Sequence, residues 1–329
     1  MAPAVSDVIR IGIDENGLGP RLGPLVVTAI VARTTEKGGA VATSKARGKM
    51  RERLADSKKL VGHGNTALGE AWARAIGARM GLSLETDAAS SPSTLIHALS
   101  LDAPDALKAP CPRDHASQCW SADGEAFSAE PELVASVTGD LARLAQRGVD
   151  VLGASCVVMC ARRLNDGVER GLTRFHSDLH SMERLLLEAR SRVGCDVVAV
   201  CGKVGGFDRY PPAFGPMNGW LHGVSAEGRA RSEYSIPGLG QVAFVRDADD
   251  RNLLVSMASL VGKWVRDLLM ARIVRYHRST DPELPDASGY HDPVTSRFIA
   301  ATRIARKRSA LPDECFERRA CEPAARNER

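Results

Sequence analysis

Residues 8–31 read VIRIGIDENGLGPRLGPLVVTAIV, and this stretch decides how the rest of the chain is read. Val8, Ile9, Ile11 and Ile13 form a β-branched run that stops at the acidic pair Asp14 and Glu15. β-Branched side chains suit a pleated backbone, so the run is expected as a strand. The glycines and prolines of NGLGPRLGP then forbid regular structure. From Leu25 to Val31 the chain is apolar almost without a break, the pattern of a strand buried on both faces.

Working outward, residues 64–82 have helical character, followed by a helix at about 131–147, a strand at about 150–161 and a helix at about 178–192. Val197 to Val200 form a strand that runs into CGKVGGFDRY, and Gln241 to Val245 form a short strand ending in acids. Apolar residues at 253, 257, 260, 261, 264 and 268 lie on one face at helical spacing, the strongest helix signal in the chain. A basic helix is expected at roughly 294–308. Residues 83–130, rich in Ser, Pro, Asp and Ala, read as a long and mobile surface insertion. Strands alternating with helices point to an α/β fold.

Composition sets outer limits. The chain has 329 residues, 44% hydrophobic and 26% charged, which excludes wholesale disorder. No apolar run reaches the ~18 residues of a membrane span, and the first residues enter a β-like run instead of a signal peptide. A net charge of +4 is too small to establish a polyanionic partner. Eight cysteines without a CxxC pair fit a reducing cytoplasm, and a cytoplasmic location is expected.

Four groups of residues carry chemistry. Asp14 and Glu15 end a hydrophobic strand, where acids are costly unless something cationic neutralises them. Gly17, Gly19 and Gly23 allow backbone N–H groups to approach a ligand closely. Ser57, Lys58 and Lys59 in DSKKL (56–60) suit phosphate oxygens. Asp247, Asp249 and Asp250 precede the long helix, on which Ser259, Lys263 and Arg266 share a polar face with Asp267. Each has an ordinary reading when taken alone: a solvated strand end, a solvated turn, a helix cap, an intrahelical Lys263–Asp267 pair. Cys156 and Cys160 read as core thiols, His176 and His180 as surface residues, and Trp220 as local packing.

In order, GIDENGLGPRLGP (12–24), DSKKL (56–60), DADDRNLLVSMASLVGKWVRDLLM (247–270) and SGYHDPVTSRF (288–298) resemble type 2 ribonuclease H, the ribonuclease HII family. The matching blocks cover about a quarter of the chain. The resemblance implies an RNase H-like fold, a mixed central sheet flanked by helices, with a C-terminal helical extension. It implies one catalytic domain over residues 1–275 and a C-terminal helical segment and tail over 276–329. It further implies hydrolysis of RNA in RNA–DNA hybrid duplex, or at a ribonucleotide embedded in DNA, leaving 5′-phosphate and 3′-hydroxyl ends. Mg²⁺ or Mn²⁺ held by carboxylates would be the cofactor. Residue by residue, Asp14 and Glu15 match the first two of four acids, and Asp249, ten before Ser259, matches the last. Gly17, Leu18 and Gly19 match the turn that senses the 2′-hydroxyl, and Tyr290 the tyrosine that packs on the sugar. Lys58, Lys59, Lys263 and Arg266 fall at backbone-contacting positions. A monomer is expected.

Two departures stand out. Leu18 replaces the arginine of the family's turn. The third acid, expected at the end of the 197–201 strand, is absent, because its two registers hold Cys201 and Gly202. Thiols are poor Mg²⁺ ligands and glycine has no side chain. Asp208, six residues further on, is the candidate replacement, whereas Asp196 begins the strand, about 17 Å away at ~3.3 Å per residue. The alternative function is a weakened or inactive relative that binds hybrid duplex without cleaving it.

Overall fold

The computed structural model describes residues 7–55, 60–62, 64–83, 91–205 and 207–319. In chain order its elements are β1 (Val8–Asn16), β2 (Leu25–Thr34), α1 (Glu36–Ala42), α2 (Ala67–Arg79), α3 (Pro92–Leu99), α4 (Pro104–Lys108), α5 (Pro131–Gln146), β3 (Val149–Met159), α6 (Ala161–Glu169), α7 (Arg174–Val193), β4 (Val197–Gly202), β5 (Gly223–Ala226), β6 (Arg231–Ile236), β7 (Gly240–Val245), α8 (Leu253–Arg278), α9 (Pro293–Arg308) and α10 (Asp313–Phe316).

The strands form one mixed sheet in the order β3-β2-β1-β4-β7-β6-β5. β1 pairs with β2 antiparallel, Ile13 opposite Ala29, and with β4 parallel, Ile13 beside Cys201. β4 and β7 are also parallel. The architecture is the expected one, a mixed α/β sheet flanked by helices with helices at the C-terminal end of the described residues.

Period-2 alternation assigns the two faces. Ile9, Ile11, Ile13, Leu25, Val27 and Ala29 point to one side, where α7 covers them with Leu179, Met182, Leu185 and Leu186. Val26 and Ile30 point to the other side and meet Leu254, Met257, Val261 and Trp264 of α8. A third cluster joins Leu22 to Met270, Ile273, Phe298 and Phe316, seating the C-terminal helices against the Gly-rich loop.

The stretch 83–130 differs from its expected irregular surface character. Leu95, Ile96 and Leu99 of α3 and Leu107 of α4 are buried in the α8-side core. Polar anchors hold the segment in place of a long apolar run. Glu70 accepts from the backbone N–H groups of Ser128 (2.9 Å) and Ala129 (2.8 Å), and the buried Arg272 pairs with Glu125 and donates to Ser93 at 2.7 Å. Strands β5 and β6 pair as an antiparallel hairpin at the edge of the sheet beside β7. Among the described residues no helix is long and apolar enough to cross a membrane.

Two contacts generate tests. Sheet and helix are closest at Gly12, where a Cβ would lie 2.4 Å from the Leu254 carbonyl carbon and the Val255 nitrogen. Gly12→Ala is therefore expected to lower stability by at least about 2 kcal/mol in denaturant titrations, since backbone on both sides must move. Glu183 of α7, buried, accepts from the N–H groups of Gly215 (3.1 Å) and Met217 (2.8 Å) and so anchors the loop before β5. Burial outweighs these bonds and raises its pKa from 4.5 to about 7. The folded state thus favours the protonated form, and this contribution is present below pH ~4.5 and lost as pH rises through ~7. Unfolding followed across that window should show a loss on the order of 2 kcal/mol that Glu183→Gln removes.

Candidate active site

β1 delivers Asp14 and Glu15 to the end of the sheet, one residue past the point where Ile13 lies beside Cys201. Asp249 arrives from a single 3₁₀ turn, Ala248–Asp250, just ahead of α8. That turn is fixed by its backbone. Asn252 caps α8 by accepting from Leu254 N (3.0 Å) and Val255 N (3.2 Å), while the Ser256 hydroxyl donates to the Asp249 carbonyl oxygen. Asp250 instead pairs with Lys45, and Asp247, in the left-handed region at φ 53°, pairs with Arg246 at 3.7 Å.

Asp14 registers this gathering of charge. Its carboxyl is pushed well above the usual range, first by burial and next by Glu15, with a smaller push from Asp249, while a hydrogen bond from Ser259 works against them. Three acids from two separated segments therefore act on one point.

Where a third strand acid would stand, the structure separates the two candidate positions. Cys201 is fully buried within the apolar layer beneath α7, and burial drives its thiol pKa strongly upward. Gly202 faces the acids: a Cβ built there would lie 2.8 Å from Asp14 Oδ1 and 3.6 Å from Glu15 Oε2. Of the two positions, 202 is the one whose side chain would face these acids. Asp208 lies in the loop beyond, half exposed, 3.4 Å from Lys203 Nζ.

The Gly-rich loop is held by groups that the sequence reading left aside. Gly17 and Gly23 adopt φ of 87° and 80°. Arg318, in the segment after α10, is buried and donates to the Gly17 carbonyl (2.6 Å) and twice to the Gly23 carbonyl (2.8 and 2.6 Å). Arg21 N and Leu22 N donate to the Gly289 carbonyl at 2.8 and 3.1 Å, tying the loop to the SGYHDP segment. Beside Leu18 and Gly19 opens a cavity of about 550 Å³, lined also by Arg21, Arg174, Phe175 and His291.

The expected phosphate contacts divide. Ser57, Lys58 and Lys59 lie outside the described residues. Lys263 pairs with Asp267 at 3.1 Å. Arg266 corrects its expected role. It is buried, paired with Asp267 at 2.6 Å, bonded to the Ser288 carbonyl at 2.8 Å, and stacked with its Cζ 4.6 Å from the Tyr290 ring centre. A guanidinium so committed positions Tyr290, half exposed, and does not face a duplex. His176 and His180 also differ from simple surface residues: His176 completes the cap of α7 with Thr173, and His180 meets the Ala213 carbonyl at 3.1 Å.

Oxygen donors from carboxylates suit hard cations such as Mg²⁺ or Mn²⁺. Among the described residues no three His, Cys, Asp or Glu side chains stand at metal-ligating spacing. One more buried acid feels the charge of Asp14. Asp178 of α7 is fully buried, both its oxygens lack a hydrogen-bond partner, and Asp14 acts on its charge.

No family model and no curated protein matches the chain. Solved structures are similar in fold only. RNase HII of Archaeoglobus fulgidus, in a complex with PCNA, is 14% identical with a TM-score of 0.38, over 96% of each chain. Ribonuclease H2 of Pyrococcus horikoshii OT3 is 14% identical with a TM-score of 0.42, over 94% of this chain and 92% of that one. Bst-RNase HIII in complex with Mn²⁺ is 14% identical with a TM-score of 0.44, over 95% and 67%. Likeness at this level assigns no residue role.

The two faces of β4 respond differently to a new acid. Cys201→Asp places a carboxyl among Ile13, Met182 and Phe244 and should cost about 3–5 kcal/mol in thermal or denaturant unfolding. Gly202→Asp meets only the movable end of Asp14. Its metal-free cost should be smaller, and added Mn²⁺ should raise its melting temperature more than the parent's.

Proposed function

We propose that the chain is a metal-dependent endonuclease acting on the RNA strand of RNA–DNA hybrid duplex, or on a ribonucleotide embedded in DNA. The reading is supported by Asp14, which is buried under the charges of Glu15 and Asp249, followed in the chain by a Gly-rich turn whose Gly17 packs on the Arg266 that stacks with Tyr290. A structural sheet end has no need to gather acids against their own repulsion.

In this reading Asp14, Glu15 and Asp249 hold Mg²⁺ or Mn²⁺. The bound cation would supply Lewis-acid activation of water and neutralise charge on the departing 3′ oxygen. Water adds to phosphorus, the P–O3′ bond breaks, and the products carry a 5′-phosphate and a 3′-hydroxyl. Gly17, Leu18 and Gly19 line the approach to the 2′-hydroxyl with backbone N–H groups. Tyr290, steadied from behind by Arg266, offers its ring to the sugar. Lys58, Lys59 and Lys263 would neutralise phosphates, and the protein would act as a monomer in the cytoplasm.

Gly202 favours a second reading, a protein that binds hybrid duplex and cleaves it weakly or not at all. Cleavage of a labelled hybrid duplex and of a single-ribonucleotide duplex, each with Mg²⁺ and with Mn²⁺, decides between them. Cleavage that Asp14→Asn lowers by at least 1,000-fold is expected on the scale of lost metal catalysis, about 4 kcal/mol. Binding without cleavage in either metal supports the second reading. Duplex affinity should fall steeply with salt, and replacing Lys58 and Lys59 with Ala should flatten the log–log slope by roughly one unit per lost contact. A flat slope in the parent protein rejects both readings.

A further inference from the structure

The cavity of about 550 Å³ beside the Gly-rich loop reaches the start of α7 and falls in the size range of small-ligand sites. One of its walls is aromatic. Helical spacing places Phe175 in line with Leu179, Met182 and Leu186, the stripe with which α7 covers the sheet. Those three are fully buried, whereas Phe175 overhangs the layer and remains 39% exposed. Its ring is seated from the protein side. Phe207 meets it edge to face at 6.3 Å between ring centres, and a Cβ built at Gly205 would lie 3.1 Å from the ring. The open part of the ring lines the cavity together with Leu18.

The second feature is charge. Arg21, Arg174 and Arg318 line the same cavity, with Glu317 the one acid among its lining residues. Glu317 pairs with Arg21 at 2.7 Å. Arg318 gives its N–H groups to the Gly17 and Gly23 carbonyls, which satisfy its hydrogen bonds without neutralising its charge. Burial, and after it the charges of Arg174 and Arg266, hold the Arg318 pKa well below the usual guanidinium range. An anion in the cavity would offset those charges.

Ring and charge together select the ligand. A neutral aromatic molecule would leave the cationic side unanswered, and inorganic phosphate would leave the ring uncovered. A nucleotide carries a base with a π-face and a phosphate one sugar away, and so meets both. A base paired within a duplex is already stacked on its neighbours, so the ring can receive only an unpaired one. His291, which also lines the cavity, follows Tyr290 in the chain, and the cavity therefore adjoins the surface read above as the duplex site.

We propose that this cavity is a subsite for one unpaired nucleotide of the bound strand, with the base stacked on Phe175 and the phosphate toward the arginines. The proposal rests on the nucleic-acid reading of the neighbouring site, and it makes hybrid duplex with an unpaired nucleotide the preferred substrate class.

The test uses the full chain without metal. Calorimetric titration with adenosine 5′-monophosphate and with ribose 5-phosphate separates the base from the phosphate. The nucleotide should bind at least about fivefold tighter, the lower end of base–aromatic stacking. Phe175→Leu, which keeps an apolar side chain but removes the ring, should abolish that difference and leave ribose 5-phosphate affinity unchanged. Phe175→Trp should retain the difference, and Phe175→Met repeats the measurement if the Leu variant does not fold. In fluorescence anisotropy the parent should prefer a hybrid duplex carrying one unpaired nucleotide to the fully paired one, and Phe175→Leu should lose the preference. Equal affinity for the two small probes, a difference that survives Phe175→Leu, or no binding of either probe at millimolar concentration overturns the subsite. Nucleotide binding through Phe175 with no preference between the duplexes overturns the strand assignment and leaves a free nucleotide as the ligand. A Phe175-dependent preference without cleavage in Mg²⁺ or Mn²⁺ keeps the subsite and rejects the nuclease reading. Cleavage without the preference rejects the subsite alone.

Discussion

Backbone-to-backbone contact between β1 and α8 is the constraint on which the site depends. Position 12 has no side chain, and the Leu254–Val255 peptide occupies the space where one would be. Gly262, two turns along, repeats the arrangement against Asn16 and Thr28, with 2.7 Å to each side-chain tip from a Cβ built there. Between these two points the helix lies flat on the strand. Ser259 is thereby brought to Asp14, its carbonyl receives Asn16 Nδ2 at 3.2 Å, and the turn carrying Asp249 is held over the strand end. A helix lifted by one methyl group at either point would carry Ser259 and Asp249 away together.

Charge is sorted around this contact. Carboxylates gather at the ends of β1 and α7 and ahead of α8. The arginines close by are committed to carbonyl oxygens and to Asp267: Arg318 to the Gly17 and Gly23 carbonyls, Arg266 to Ser288 and Asp267, Arg174 to the Arg319 carbonyl at 2.6 Å. Cations from the protein therefore shape the loops. Arg318 is buried beside Arg174 and Arg266, which lower its proton affinity further than burial alone. Five donors in a planar fork suit a cluster of carbonyls, where an ammonium could satisfy fewer of them.

Much of this was legible in the sequence where local chemistry acts alone. β-Branched runs marked β1 and β2, and a single apolar face marked α8. What escaped reading depended on partners distant in the chain. Leu95 and Leu99 look like scattered apolar residues in a polar stretch until Glu70 and Arg272 fasten that stretch to the core. Cys201 and Gly202 were indistinguishable as registers because alternation fixes a face only once the strand's partner is known. Asp178 stood within an expected helix with nothing to mark it, since its isolation is a property of the packed protein. Arg266 reads as a surface cation in a helical pattern and becomes a buried brace only because the 288–290 segment folds over it.

The grip of Arg318 on the Gly17 and Gly23 carbonyls spans 301 and 295 residues of chain. Contacts so far apart in sequence form late, because the entropy of closing the intervening chain must first be offset by nearer contacts. The sheet and the α8 packing can assemble while the Gly-rich loop still lacks its brace. Substrate-facing geometry is therefore the last part of the molecule to be finished. During synthesis the acids would be gathered before the loop beside them is set.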